Sequence, residues 1–354
     1  MAKDKVKVIV VDDSALIRAL LKEVLSSDHR IDVVACAQDA YEARELIKQH
    51  NPDVITLDIE MPKMNGITFL KNLMRLRPMP VVMISTLTQE GAPSTLEALE
   101  IGAIDFVPKP VNEGAGALER YKDTIVEKVI GASRANVRPK DGTQAKTPNA
   151  GRDQNGLLVE GKNFKSNFIC AIGASTGGTE AIKEVITALP QKSPAIVIAQ
   201  HIPESFSASF AKRVDAASLV NVVEAGNNQR IEHGTVYIAP GHSHLKVEKR
   251  GGAYYCRLDQ GELVNRHRPS VEVLFDSVLN AAGRDALGVM LTGMGADGAE
   301  ALLRLRNSGA PTIAQDEATS VVWGMPGAAV KLNAAQKVMP LGKISQAILS
   351  QSFK

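Results

Sequence analysis

Short apolar runs that alternate with stretches of helical spacing constrain this chain more than any other feature. Between Lys5 and about Gly131 the runs are Val6 to Val11, Val33 to Cys36, Val54 to Leu57, Val81 to Ile84 and a short last one at Phe106-Val107. Between them Ala15 to Leu25, Ala40 to Gln49 and Ile67 to Leu76 set apolar residues at helical intervals. Such alternation predicts a parallel sheet covered by helices on both faces. Past residue 165 it resumes, with runs at Phe168 to Ile172, Ala195 to Ala199, Thr235 to Ala239 and Leu287 to Leu291. The expected fold class is α/β: a doubly wound first domain, then a second α/β domain with a mainly parallel sheet.

Ser133 to Lys165 separates the two with Arg, Lys, Asn, Gln, Gly and Pro, and with few large apolar residues, among them Leu157, Leu158 and Phe164. That composition predicts a linker. The expected division is 1–131, a flexible linker over 132–165, and 166–354, and a length of 354 residues suits two cores. A net charge of +2 leaves no basic field to grip phosphate backbones. No helix-turn-helix pattern or basic helix follows the linker, so nucleic acid is not an expected partner. Asp12 ends the first apolar run too early for a signal or a membrane span, which predicts a cytoplasmic protein without membrane insertion. Cys36, Cys170 and Cys256 are odd in number and scattered, giving neither a disulfide framework nor a zinc spacing.

In doubly wound sheets functional groups gather beyond the carboxyl ends of the strands. Asp12 and Asp13 close the first strand, Asp58 the third, Ser85 follows the fourth and Lys109 the fifth. Clustered carboxylates repel one another and call for a hard cation, so Asp12, Asp13 and Asp58 suit Mg²⁺. In this pattern Asp58 is a nucleophile for a phosphoryl group, Lys109 pairs with the phosphoryl oxygens, and the Ser85 hydroxyl hydrogen-bonds to them. The plainer alternative makes Asp12 or Asp13 a cap for the helix starting near Ala15, which explains one residue and not five.

Val-Asp12-Asp13-Ser, Leu-Asp58-Ile-Glu-Met-Pro62-Lys-Met-Asn-Gly66 and Val-Pro-Lys109-Pro110 resemble the response-regulator receiver family. The resemblance covers essentially the whole first domain. It implies a flavodoxin-like sheet, a histidine kinase as phosphoryl donor, and the Glu60 carbonyl as a further metal ligand. Ser85 stands where many receivers have Thr.

The second domain opens with Phe168-Ile-Cys-Ala-Ile172 running into Gly173-Ala-Ser175-Thr-Gly177-Gly178 and a helical pattern from Thr179 to Leu189. A serine in a tight strand-to-helix turn stands clear of the sheet beside backbone N–H groups that can bind an oxyanion. It needs a base, and His201 ends the next apolar run. Asp297, in Leu291-Thr-Gly293-Met-Gly295-Ala-Asp297-Gly298, is the candidate to orient that histidine. Thr176 and Met294 are candidate oxyanion donors. The same glycines imitate a degraded dinucleotide-binding turn, but Gln200 and His201 stand where the ribose-binding acid belongs.

Elsewhere, His242 and His244 lack a third metal ligand and read as surface residues. His267 either offers positive charge to an acidic substrate surface or sits in a solvated loop. Trp323 reads as packing.

Ile-Gly-Ala-Ser-Thr-Gly-Gly, Gln-His201, Tyr-Ile-Ala-Pro-Gly241, Arg-His-Arg-Pro-Ser270 and Leu-Thr-Gly-Met-Gly-Ala-Asp-Gly298 together resemble the CheB family of chemotaxis protein-glutamate methylesterases. The resemblance implies hydrolysis of glutamyl methyl esters on methyl-accepting chemotaxis receptors with release of methanol, and deamidation of receptor glutamines. It puts Ser175, His201 and Asp297 on the family's catalytic positions, needs no cofactor for the ester chemistry, and implies a receiver that covers the esterase cleft until Asp58 is phosphorylated. The competing expectation is a phospho-regulated docking module without catalysis.

Overall fold

A computed structural model of the chain describes residues 5–85, 91–109, 117–137 and 164–354. The chain divides into two compact units, Met1–Thr143 and Gln144–Lys354. Most of the expected linker, residues 138–163, lies outside the described residues.

In the first unit β1 (Val6–Val11), β2 (Ile31–Ala37), β3 (Val54–Asp58), β4 (Val81–Ser85) and β5 (Asp105–Pro108) form one sheet in the order β2-β1-β3-β4-β5. Every neighbouring pair is parallel. This is the flavodoxin-like order, with its switch point between β1 and β3. Val8 to Val11 and Val81 to Ile84 have no exposed surface, because helices cover both faces of the sheet.

The helices are α1 (Ala15–Ser26), α2 (Ala40–His50), α3 (Gly66–Leu76), α4 (Ala92–Ile101) and α5 (Ala117–Ser133). Three start where a short polar side chain satisfies an open backbone N–H. The Ser14 hydroxyl accepts from Ile17, the Asp39 carboxylate from Tyr41 and Glu42, and the Asn65 amide oxygen from Thr68. Capping of α1 therefore falls to Ser14, which leaves Asp12 and Asp13 for other work.

The second unit begins with β6 (Ile169–Ala174), α6 (Gly178–Thr187), β7 (Ala195–Gln200), α7 (Glu204–Ala216), β8 (Asn221–Glu224) and β9 (Thr235–Ile238). A hairpin of β10 (His244–Arg250) and β11 (Ala253–Asp259) follows, then α8 (Val271–Ala282), β12 (Ala286–Met290), α9 (Ala299–Asn307) and β13 (Thr312–Gln315). The chain ends with α10 (Met325–Lys331), β14 (Lys337–Met339) and α11 (Leu341–Ser352). Seven strands make a parallel sheet in the order β14-β13-β12-β6-β7-β9-β8, while β10 and β11 pair antiparallel outside it.

The apolar runs predict β6, β7, β9 and β12, and they miss β8, β13, β14 and the hairpin. β8 and β14 are short edge strands with exposed residues, where little burial is needed to hold them. Because β7 lies on one side of β6 and β12 on the other, the order reverses at β6. A crevice opens at the carboxyl ends of these three strands. Among the described residues no helix is long and apolar enough to cross a membrane.

Candidate active site and phosphorylation pocket

At the switch point of the first sheet, Asp12 follows β1 and Asp58 ends β3, both essentially without exposed surface, while Asp13 is exposed. Oxygens of the three carboxylates lie within 4.8 Å of one another. Lys109, one residue past β5, donates to Asp58 Oδ2 at 2.8 Å and lies 3.4 Å from Asp12 Oδ2. That second oxygen is buried without a hydrogen-bond partner, and Asp12 Oδ1 accepts the Ser14 N–H. Arg18 donates to the carbonyls of Asp12 and Asp13, fixing the backbone of the pair.

Burial and the neighbouring Asp12 charge push the Asp58 carboxyl up to about 6 despite the Lys109 ammonium beside it. Burial likewise raises Asp12. One lysine does not neutralise this many carboxylates, and an all-oxygen donor set with an orphaned buried oxygen fits a hard divalent cation. Glu60, two residues beyond Asp58, is exposed, and its backbone N–H is directed at the Asp58 carboxylate. Ser85 ends β4 beside β5, in register with Pro108, but its side chain lies outside the described residues, as does Pro110.

In the second unit the three candidates from distant parts of the sequence meet at the crevice around β6. His201 Nδ1 is 3.1 Å from Ser175 Oγ, and His201 Nε2 is 2.9 Å from Asp297 Oδ2. An ionised aspartate only accepts, so Nε2 carries the proton and Nδ1 is left as the base toward the Ser175 hydroxyl. Asp297 Oδ2 also accepts the Val271 N–H at 2.7 Å, and Oδ1 accepts from Asn265 Nδ2 at 2.8 Å and Ser270 Oγ at 2.9 Å. The carboxylate thus sits on the N-terminus of α8, where the helix dipole favours negative charge. Burial alone would raise its pKa, yet the His201 contact and these donors outweigh that and hold it at about 2.

The turn carrying Ser175 is clamped from both neighbouring strands. Ser175 N–H donates to Thr292 O at 3.0 Å, and the Thr292 hydroxyl lies 3.0 Å from the Thr176 carbonyl. Gln200 Nε2 donates to the carbonyls of both Ser175 and His201, at 2.9 and 3.1 Å. The residue at the end of β7 therefore serves this turn and not a ribose. Gly177 takes φ 74° to turn the chain into α6, a region open to glycine. At Gly293 a Cβ would lie 2.8 Å from Ser175 Cβ and 2.4 Å from Met325 Sδ, so only glycine lets this loop approach the serine.

The amides of Ser175, Gly178, His201 and Gly293 are all taken by backbone carbonyls. They are excluded as oxyanion donors; of the two candidates, Thr176 follows the serine in the chain and is buried, and Met294 follows Gly293 and is half-buried.

Gln200, Thr292, Asn265 and Ser270 escape the reading by residue type, because each acts through a partner far away in sequence. Only the position of Gln200 and Thr292 at strand ends signals them. His244 is a correction: it is buried, donating from Nε2 to Glu262 O at 2.9 Å and accepting Ser270 N–H at Nδ1, 3.1 Å. His267 does not sit in a solvated loop: it is half-buried and its ring stacks on His201. His242 is half-buried and contacts the Ser243 hydroxyl, and Trp323 packs with Nε1 donating to Gln315 O.

Comparison with known proteins finds relatives of both units. The family model described as CheB methylesterase matches residues 170–348, and that described as response regulator receiver domain matches residues 8–117. The protein-glutamate methylesterase/protein-glutamine glutaminase 2 of Saccharophagus degradans is 60% identical over 349 residues, covering 99% of both chains. A protein-glutamate methylesterase/protein-glutamine glutaminase of Hydrogenovibrio crunogenus is 50% identical over 370 residues, covering 98% of both. Among solved structures, the CheB methylesterase catalytic domain of Thermotoga maritima is 35% identical with a TM-score of 0.51, covering 52% of this chain and 97% of that one.

Proposed function

The chain belongs to the CheB methylesterase family and carries a response-regulator receiver domain ahead of the esterase domain, and from this we propose a phosphorylation-activated hydrolase of chemotactic adaptation. Its substrates are the glutamyl methyl esters of methyl-accepting chemotaxis receptors, cleaved with release of methanol, and receptor glutamines, which it deamidates. The observation that carries this reading is the continuous line Ser175 Oγ, His201 Nδ1, His201 Nε2, Asp297 Oδ2, at 3.1 and 2.9 Å.

The Ser175 hydroxyl attacks the ester carbonyl as His201 Nδ1 takes its proton. Asp297 holds the resulting imidazolium through Nε2–H, supported by the N-terminus of α8. The backbone N–H groups of Thr176 and Met294 receive the oxyanion. His201 then passes its proton to the departing methoxy oxygen, which leaves as methanol. Water, activated by the same nitrogen, attacks the acyl-enzyme and restores the serine. A glutamine side chain follows the same course with ammonia leaving.

In the receiver, Asp58 attacks the phosphoryl group donated by a histidine kinase of the chemotaxis pathway. Lys109 exchanges its contact with Asp58 for the phosphoryl oxygens, and the Ser85 hydroxyl hydrogen-bonds to them. Asp12, Asp13, Asp58 and the Glu60 carbonyl would hold Mg²⁺, which neutralises and orients the incoming group. The setting is cytoplasmic, with neither nucleic acid nor membrane insertion involved.

Ser175→Ala removes the nucleophile and is expected to lower methanol release from methylated receptor membranes by about 10⁵- to 10⁶-fold in kcat. Wild-type release by that variant would reject the serine mechanism. Failure of the wild-type protein itself to release methanol from active receptor membranes would instead favour the docking module.

A further inference from the structure

Between β11 and α8 the chain crosses the triad as a strap. Residues 264–267 close a tight turn in both directions, Val264 N–H to His267 O at 3.1 Å and His267 N–H to Val264 O at 2.9 Å. Asn265 and Arg266 at its apex have φ of 52° and 67°, the two positive angles that a type I′ turn requires. Asparagine tolerates this region, whereas arginine pays strain there, so the surroundings must hold the turn in place. They do so at both ends. Buried His244 donates to Glu262 O and accepts the Ser270 N–H, pinning the strap where it enters and where it leaves for α8.

The turn delivers two contacts to the site. Asn265 donates to Asp297 Oδ1 at 2.8 Å. The His267 ring lies over His201 with centroids 3.7 Å apart and planes 14° apart, a face-to-face contact at van der Waals distance. Two in-line hydrogen bonds, to Ser175 and Asp297, hold His201 within its plane and leave it free to tilt about the line that joins them. A flat partner on the ring face opposes that tilt. The base must keep its alignment while it carries a proton from Ser175 to the leaving group, and small misplacements of reacting atoms are costly.

We propose that His267 is a positioning residue of the esterase, a flat wall that holds the His201 ring in the one orientation serving Ser175 and Asp297 at once. This rests on the reading of His201 as the base. The strap couples the wall to the acid, because one turn carries both Asn265 and His267. The proposal assigns this work to the face of the ring, so phenylalanine is expected to replace it.

The test is methanol release from methylated receptor membranes by the full chain, saturated with acyl-phosphate donor and Mg²⁺, for wild type, His267→Ala, His267→Phe and His201→Ala. His267→Ala is expected to lose about 10- to 100-fold in kcat with KM little changed, and His267→Phe to recover most of the loss. The proton resonance of His201 Nε2–H, shifted downfield by Asp297, should broaden in His267→Ala and return in His267→Phe. Where alanine does not fold, His267→Leu, which fills the volume without a flat face, takes its place with the same expectation. A wild-type kcat in the alanine or leucine variant, or a phenylalanine variant no better than either, overturns the proposal. Full activity in His201→Ala would overturn the reading of the base itself, a result separate from failure at His267.

Discussion

Asp297 accepts hydrogen bonds from His201, Asn265, Ser270, Val271 and Glu272, far more than orienting one imidazole requires. The excess keeps a buried carboxylate ionised beside His201, which the proposed mechanism makes cationic in each turnover. An unfolded aspartate titrates near about 3.9, whereas Asp297 in the fold does so at about 2. The folded state therefore draws stability from its charge above about pH 4 and loses it as pH falls toward 2. Asp297→Asn should flatten the pH dependence of urea unfolding of the esterase unit over that window, and lower kcat by about 10⁴-fold through the wrong tautomer. Unchanged acid unfolding in the variant would contradict the shift. That Ser175, His201 and Asp297 were candidates to meet was legible in the sequence, because each follows a run of buried-strand residues. Which histidine nitrogen meets the serine was not, since it depends on the direction from which α8 delivers its N-terminus.

The loop from β12 to α9 shows how elements and not residues alone build the site. Thr292 takes the Ser175 N–H, Gly293 gives the approach, and Asp297 completes the line to His201. Gly293→Ala should displace the serine, cutting kcat by about tenfold or more and destabilising the fold by about 1–3 kcal/mol through overpacking. Chevron or equilibrium unfolding together with methanol release would measure both, and a wild-type kcat would contradict the close approach. The apolar runs foretold the central strands because burial on both faces writes itself into composition. They did not foretell the hairpin, although Leu245 and Val247 are buried in alternation and Gly251-Gly252, both at positive φ, supply its turn. The strap beyond it was invisible for a different reason: turn residues with left-handed backbone carry no periodicity, and their partners lie across the crevice.

At the scale of the whole molecule, two sheets with separate cores each present a site at the carboxyl ends of their strands, at the point where strand order reverses. Chemistry divides between them: crowded carboxylates and a lysine suit a phosphoryl group, and a serine line suits an ester. Joining a switch to an enzyme in one chain makes sense if the phosphoryl state of Asp58 sets the population of active esterase. The order of the two sites was legible from the first strand onward. The most direct measurement is the initial rate of methanol release from methylated receptor membranes in Mg²⁺, with and without a small acyl-phosphate donor, for wild type and Asp58→Asn. The account predicts a severalfold rise with donor in the wild type and none in Asp58→Asn, which keeps its basal rate. An equal rise in both proteins, or none in either, would contradict it.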